Sequence, residues 1–268
     1  MKTLNFENTT ILVTGASSGI GKEFAKQLAG KGANLILTAR THSDLIRVAE
    51  DLTAQHKHIS IKTIPADLSE QGGPKKLWGE INDLGLSIDY LINNAGFGKF
   101  CEFTGEGFDT YHKMLTLNIN ALVELTHLCL PAMKEKNSGG IINVASIASF
   151  QPLPYQAVYG ASKAFVLSFS EALTGELLDT NIRVMALCPG TTESRFMRTA
   201  NADTSKMDLA PPSEVVSAAL TAYDKNRLYT VSGKMNYFIS LIPRLVSRKR
   251  TVKIVVNMFK DSVLEKSV

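Results

Sequence analysis

Cysteine is scarce. Cys101, Cys129 and Cys188 stand alone in 268 residues, far apart and odd in number. That speaks against a disulfide framework or a zinc site and points to a reducing, cytoplasmic setting. All three are expected to be small buried hydrophobes. No uninterrupted apolar run of roughly 18 residues occurs, so no ordinary membrane-spanning helix is expected. The opening MKTLNFENTTILVTG has only a short apolar run leading into a glycine turn, not the pattern of a secretory signal. Repeats, linkers and low-complexity tracts are missing as well, which leaves one large domain as the economical reading. Acid is missing from one block. Between 225 and 260 there are nine Lys or Arg and no Asp or Glu. Taking those nine from the 29 cations leaves 20 against 25 acids, so the body is mildly acidic, although the whole chain carries +4. The tail is basic.

What is present is regular. Short apolar runs alternate with longer helical stretches. TTILVTG, ANLILTAR, ISIKTIPADL, IDYLINNAG, GGIINVAS, IRVMALCPG and LYTVSG read as strands. Between them, 19–31, THSDLIRVAEDLTAQH (opened by a capping Ser or Thr), 74–84, 107–136, 156–178 and SEVVSAALTAY read as helices. The strands are nearly continuous apolar runs, not alternating ones, as in a parallel sheet covered on both faces. The expected fold is therefore α/β, a Rossmann-type doubly wound sheet of about seven strands with helices on both faces.

The first strand runs into VTGASSGIG, which opens the first helix. Gly15, Gly19 and Gly21 clear side chains from places where backbone must approach a ligand or adopt unusual dihedrals. The helix N-terminus behind them offers free N–H groups and a positive dipole end, suited to a pyrophosphate. The second strand ends in Ala39 and Arg40, where an NAD site usually has an acid for the ribose 2′-hydroxyl. With no carboxylate to repel a 2′-phosphate and a guanidinium to pair with one, NADP(H) is favoured; a solvated surface arginine is the alternative. Asp67, just past the third strand, suits an adenine amino group or a helix N-cap, or both.

Tyr159 and Lys163 lie four apart, on one face of a helix. Ser146 ends the fifth strand, and NNAG at 93–96 ends the fourth. Ligands of open α/β sheets sit beyond the carboxyl ends of strands, so these groups can meet in one crevice. A free tyrosine has a pKa near ~10; an ammonium one turn away, together with an oxidised nicotinamide, would lower it. Tyr155, with no lysine at its own i+4 position, reads as a loop or pocket residue.

In sequence order TGASSGIG (14–21), NNAG (93–96), Asn118, Ser146, YGASK (159–163) and PG (189–190) make the chain resemble the short-chain dehydrogenase/reductase superfamily, from about Thr10 to Gly233. The resemblance implies nicotinamide-dependent hydride transfer with Asn118, Ser146, Tyr159 and Lys163 as the catalytic set. Tyr159 would be the general acid or base, Ser146 a donor to the same substrate oxygen, and Lys163 a ligand of the ribose hydroxyls. Asn118 would bind its backbone locally and anchor a water of a proton relay. The implied cofactor site comprises Gly15, Ser17, Ser18, Gly19, Ile20 and Gly21, Arg40, Asp67 and Leu68, and Asn94, Ala95 and Gly96. It is completed by Tyr159, Lys163, Pro189, Gly190, Thr192 and Ser194. Ser194 stands where a threonine is more often found. Homodimers or homotetramers through the helices near 107–136 and 156–178 are usual for such proteins.

The expected function is an NADP(H)-dependent oxidoreductase acting on a carbonyl or alcohol of a hydrophobic small molecule. The alternatives are a regulatory protein that keeps the cofactor site, or a membrane-surface-associated protein, in either case without significant turnover. Residues 1–234 would form the catalytic domain, with 195–212 as a mobile loop over substrate. Residues 235–268 form a basic, amphipathic extension, similar to the ends of bacterial ketoacyl- and hydroxysteroid-type reductases. It has three open roles: packing on its own domain or a partner subunit, peripheral membrane contact through 235–260, or guiding an acidic substrate. Pro243 would interrupt or start a helix there. Nucleic-acid binding is not expected, because no recognisable module accompanies the basic residues.

Overall fold

The computed structural model describes residues 5–200 and 208–264, with side chains described as far as Phe259. Seven strands form one sheet: β1 (Thr10–Thr14), β2 (Asn34–Ala39), β3 (Ile61–Pro65), β4 (Tyr90–Asn93), β5 (Gly139–Val144), β6 (Ile182–Cys188) and β7 (Tyr229–Val231). Every pairing is parallel and the order is β3-β2-β1-β4-β5-β6-β7. The Rossmann-type architecture is thus as the apolar runs implied.

Alternate residues of the central strands feed two different cores. Ile11, Val13, Leu35, Leu37, Val144 and Leu187 pack with Phe24, Leu28, Leu45 and Val216. Those four belong to α1 (Gly19–Ala29), α2 (His42–Gln55) and α8 (Pro212–Asp224). Leu12, Ile36, Leu91, Ile141 and Val184 point the other way, onto Leu77, Ile81, Leu125, Met133 and Leu173. These belong to α3 (Gly73–Asp83), α5 (Leu122–Lys136) and α6 (Ala157–Glu176). A strand buried on both faces has no polar side to alternate with, which explains its continuous apolar sequence.

Several details depart from the sequence reading. The expected helix over 107–136 is a stack of α4 (Phe108–Leu115), a π turn (Thr116–Ala121) and α5. Thr41 occupies the N-cap position of α2 but makes no side-chain capping bond. Asp67 does not cap α3, whose N-cap is Gly72. Its carboxylate instead accepts from the backbone N–H (2.9 Å) and hydroxyl (2.6 Å) of Ser69, closing a local turn. Cys129 and Cys188 are buried, whereas Cys101 is only half-buried.

The tail is two helices, α9 (Lys234–Leu245) and α10 (Arg248–Leu264). Pro243 lies inside α9, two residues from its end. Of the expected substrate loop, Arg195–Thr199 form α7 and its base is closed by a bridge of Thr192 to Ala210; the stretch 201–207 lies outside the described residues.

A buried polar ladder ties β4, β5 and α6. Asn93 donates to Asn143 (2.9 Å) and Asn143 to the Ser170 hydroxyl (2.9 Å). Asn143 is fully buried, so Asn143→Ala leaves the Asn93 donor and the Ser170 hydroxyl each short of a partner. Chemical unfolding should show a loss of about 1–3 kcal/mol. An unchanged midpoint would mean that the ladder is dispensable.

Candidate active site

The strand order reverses between β1 and β4, and their carboxyl ends lie side by side. Thr14 and Asn94 brace this point. The Thr14 hydroxyl accepts from the Asn94 and Ala95 backbone N–H groups (2.9 Å each). The Asn94 side chain donates to the carbonyls of Thr14 (2.9 Å) and Gly15 (3.2 Å). Over the braced ends opens a cleft of about 440 Å³.

One half of the cleft is lined by Gly15, Ser17, Ser18, Gly19 and Ile20, by Arg40, by Asp67 and Leu68, and by Asn94, Ala95 and Gly96. Gly15 and Gly19 have φ of +64° and +54°, a conformation that strains any other residue. Gly21 lies beneath the lining. A Cβ there would overlap the Gly15 carbonyl oxygen and the Asn94 amide. Ser18 precedes α1 without a side-chain capping bond, so no side chain occupies the first N–H groups of the helix. Arg40 is exposed at the rim and forms no ion pair among the described residues. Asp67 is the single carboxylate in the described lining. These features fit a dinucleotide: glycines for close approach and a free helix end for pyrophosphate.

The other half holds Ser146, Tyr159, Lys163, Pro189, Gly190, Thr192 and Ser194. Ser146 follows β5, and its oxygen accepts from the Ala148 N–H at 3.1 Å. It lies close enough to the Tyr159 phenol to influence its titration. Tyr159 is buried, with its ring against Phe196 at 5.4 Å between centroids. Lys163 is buried on the same face of α6, its Nζ 5.9 Å from the Tyr159 ring centroid. That Nζ donates to the Val144 carbonyl at 2.7 Å. Thr192 donates to the Gly190 carbonyl (3.0 Å), and Ser194 caps α7 by accepting from the Phe196 N–H (3.3 Å). Tyr155 stands outside this lining, at φ +64°; its carbonyl accepts from the Cys101 N–H (3.0 Å), as suits a loop residue.

Burial moves the two titrating groups in opposite directions. The Tyr159 phenol is pushed up to about 12, and the neighbouring Ser146 hydroxyl pulls against that rise. Lys163 is lowered to about 8 by the same desolvation. The expected lowering combines the lysine with an oxidised nicotinamide; in the chain by itself Ser146 is the group that pulls the phenol back.

Asn118 lies in the π turn, buried behind Gly96, not in the lining. Its amide grips the Phe97 backbone, donating to the carbonyl (3.0 Å) and accepting from the N–H (3.1 Å). It also donates to the Ser162 hydroxyl (3.0 Å). The expected local bond is therefore a bond across the fold. Gly96 permits it, since a Cβ there would lie 3.0 Å from the Asn118 oxygen and 3.3 Å from Lys163 Nζ.

Two features had no sequence signal. Arg195, in the lining, pairs with Asp44 at the start of α2, and this bond holds the Asp44 carboxyl below its ordinary range. Phe97, Leu153, Phe196, Ile239, Met258 and Phe259 make an apolar wall beside Tyr159, with α9 and α10 contributing the last three.

A family model described as short chain dehydrogenase matches residues 9–205. The chain belongs to the short-chain dehydrogenase/reductase superfamily. Ketoacyl reductase HetN from a Nostoc species is 32% identical over 241 residues, 88% of this chain and 82% of that protein. A short-chain dehydrogenase from Sphingobium yanoikuyae, solved with NADPH, is 32% identical, with a TM-score of 0.79 over 83% of this chain and 87% of that one. The bulky-bulky ketone specific alcohol dehydrogenase from Comamonas testosteroni is 31% identical, with a TM-score of 0.75 over 94% and 91% of the two chains. This short-chain dehydrogenase/reductase is accordingly an oxidoreductase that uses a nicotinamide cofactor on small carbonyl or alcohol substrates.

The lowered lysine has a measurable consequence. Unfolded, Lys163 titrates near 10.5; folded, near 8. Between those values the unfolded chain binds the extra proton, so the contribution of Lys163 to stability rises with pH. It is full above 10.5 and lost as pH falls through about 8. Lys163→Met should therefore be more stable than wild type at pH 7, with the gap shrinking towards pH 10. A gap independent of pH in urea unfolding would contradict the shifted lysine.

Proposed function

We propose that the protein is an NADP(H)-dependent reductase for the carbonyl group of a hydrophobic small molecule, with Tyr159 as its general acid. The observation that carries this reading is the meeting of Ser146, Tyr159 and Lys163, all buried, between a dinucleotide-shaped half-cleft and an apolar wall. The cofactor would supply or accept the hydride. Gly15, Ser17, Ser18, Gly19 and Ile20 would hold its pyrophosphate, with Gly21 packing the turn from behind. Asp67 and Leu68 would take the adenine, and Arg40 the 2′-phosphate. Asn94, Ala95, Gly96, Pro189, Gly190, Thr192 and Ser194 would border the nicotinamide half.

The chemistry of the residues follows from where charge develops. A carbonyl gaining hydride becomes an alkoxide, which needs a proton or strong donors. Ser146 would donate to that oxygen and Tyr159 would transfer its proton to it. In the reverse direction the phenolate would take the proton back. Lys163 would bind the nicotinamide ribose hydroxyls. Its charge, with that of an oxidised nicotinamide, would draw the phenol down from its buried value. Asn118 would act as a positioning residue by fixing Phe97 and the Gly96 turn, and through a water in the path to Lys163.

The relatives support a bulky, apolar substrate. One is named for ketoacyl reduction and one for bulky-bulky ketones, and the wall beside Tyr159 is apolar on this chain too. Residues 235–268 belong, on this reading, to the same domain, because Ile239, Met258 and Phe259 complete that wall. A homodimer or homotetramer through α4, α5 and α6 is proposed as well, where Leu115 and Phe165 are exposed.

Tyr159→Phe should lower the rate of carbonyl reduction by about a thousandfold, within the range for a lost general acid. Fluorescence titration should show NADPH binding retained. Wild-type turnover would remove Tyr159 from the chemistry. Arg40→Asp should weaken NADPH by about tenfold or more, the size of a lost charge-assisted contact, and spare NADH. An unchanged preference would make Arg40 a surface residue only.

A further inference from the structure

Helix α9 has a mixed inner face, which borders the cleft, and an apolar outer one. Its inner row of Asn236, Ile239, Ser240 and Pro243 turns towards the domain, and Ile239 lines the cleft. Its outer row of Met235, Phe238, Ile242 and Leu245 repeats at helix spacing and is exposed among the described residues. Met235 is 72%, Phe238 63% and Leu245 84% exposed, high values for large apolar side chains sharing one stripe.

The charge beside the stripe is of one sign. Lys234, Arg244, Arg248, Lys249, Arg250 and Lys253 are all exposed, and none forms an ion pair among the described residues. No acid lies between 225 and 260 to balance them. Two copies meeting through this face about a two-fold axis would set cations against cations. An anionic lipid surface satisfies both features at once: acyl chains take the apolar row and headgroups take the cations. No helix among the described residues is long and apolar enough to cross a membrane, so the contact is peripheral.

We propose that α9 and the basic start of α10 seat the protein on an anionic membrane surface. The outer row enters the headgroup boundary while the inner row forms a wall of the cleft. The cleft then lies one helix diameter, about 10 Å, from the lipid. Met258, 61% exposed and also part of the cleft lining, stands at the mouth. A lipid-dissolved ketone or acyl substrate would thus cross little water; that last consequence rests on the reductase reading, whereas the docking does not.

The test is co-sedimentation of the full chain with vesicles of phosphatidylcholine alone or with added phosphatidylglycerol. It needs neither cofactor nor turnover, so it stands or falls apart from the catalytic reading. Binding to the anionic vesicles only, weakened at high salt, is expected. Phe238→Asp with Leu245→Asp should reduce it at least tenfold, as should Arg248→Glu with Arg250→Glu. Circular dichroism and urea unfolding of the same variants should match wild type, showing that the fold is intact. No pelleting, or pelleting that both variants retain, would overturn the proposal. So would a wild-type dimer that ignores vesicles and dissociates on Phe238→Asp; the stripe would then be a contact between copies.

Discussion

A buried ammonium holds the reacting half of the cleft together. Among the described residues Lys163 forms no ion pair, and it donates to the Val144 carbonyl at 2.7 Å. A cation withdrawn from water is tolerated only where such partners are fixed in advance. Here α6 must lie against the end of β5, and the same placement puts Tyr159 beside Ser146, two residues past Val144. The Gly96 backbone passes close enough that a methyl group would crowd both Lys163 and Asn118. Strand end, helix face and glycine loop are therefore one geometric solution to a single desolvated charge.

The rest of the fold brings that solution to the cofactor half. Parallel strands end on the same edge, so the turns after β1, β4 and β5 share one rim. The Thr14–Asn94 brace fixes the distance between the first two turns, and the Asn93–Asn143–Ser170 ladder fixes β4 to β5 and α6. Both use side-chain amides whose bonds have direction, unlike the apolar packing around them.

Much of this was legible in the chain. The strands announced themselves because burial on two faces leaves no polar positions in Ile11 to Val13 or Leu35 to Leu37. The glycine turn and the Tyr159–Lys163 spacing were legible because their partners are close in sequence or fixed by the strand ends. Contacts between distant residues were not. Arg195 meets Asp44 across 151 positions, and nothing near either residue marks the pair. Asp67 looked like a helix cap because capping depends on the residue class, while the outcome depended on Ser69 capturing its carboxylate first. The apolar wall was hidden for another reason: Phe97, Leu153, Phe196 and Phe259 come from four separate segments, and a single aromatic has no periodicity. In the tail, composition showed an amphipathic basic segment but not its division into two helices, nor that Ile239 and Leu245 face opposite ways.

The π turn at Thr116–Ala121 settles a question of phase. Each α-helical residue rotates the chain by about 100°, so one residue more or less resets every side chain downstream. Tyr111 and Met114 of α4 face the cluster around Tyr159, whereas Leu125, Cys129 and Met133 of α5 face the core under β4 and β5. The wider turn lets one continuous rod satisfy both surfaces and delivers Asn118 to Phe97 at the changeover. Deleting a single residue from this turn would leave a more regular helix and a misaligned protein. The irregularity acts as a vernier between the sheet and the site.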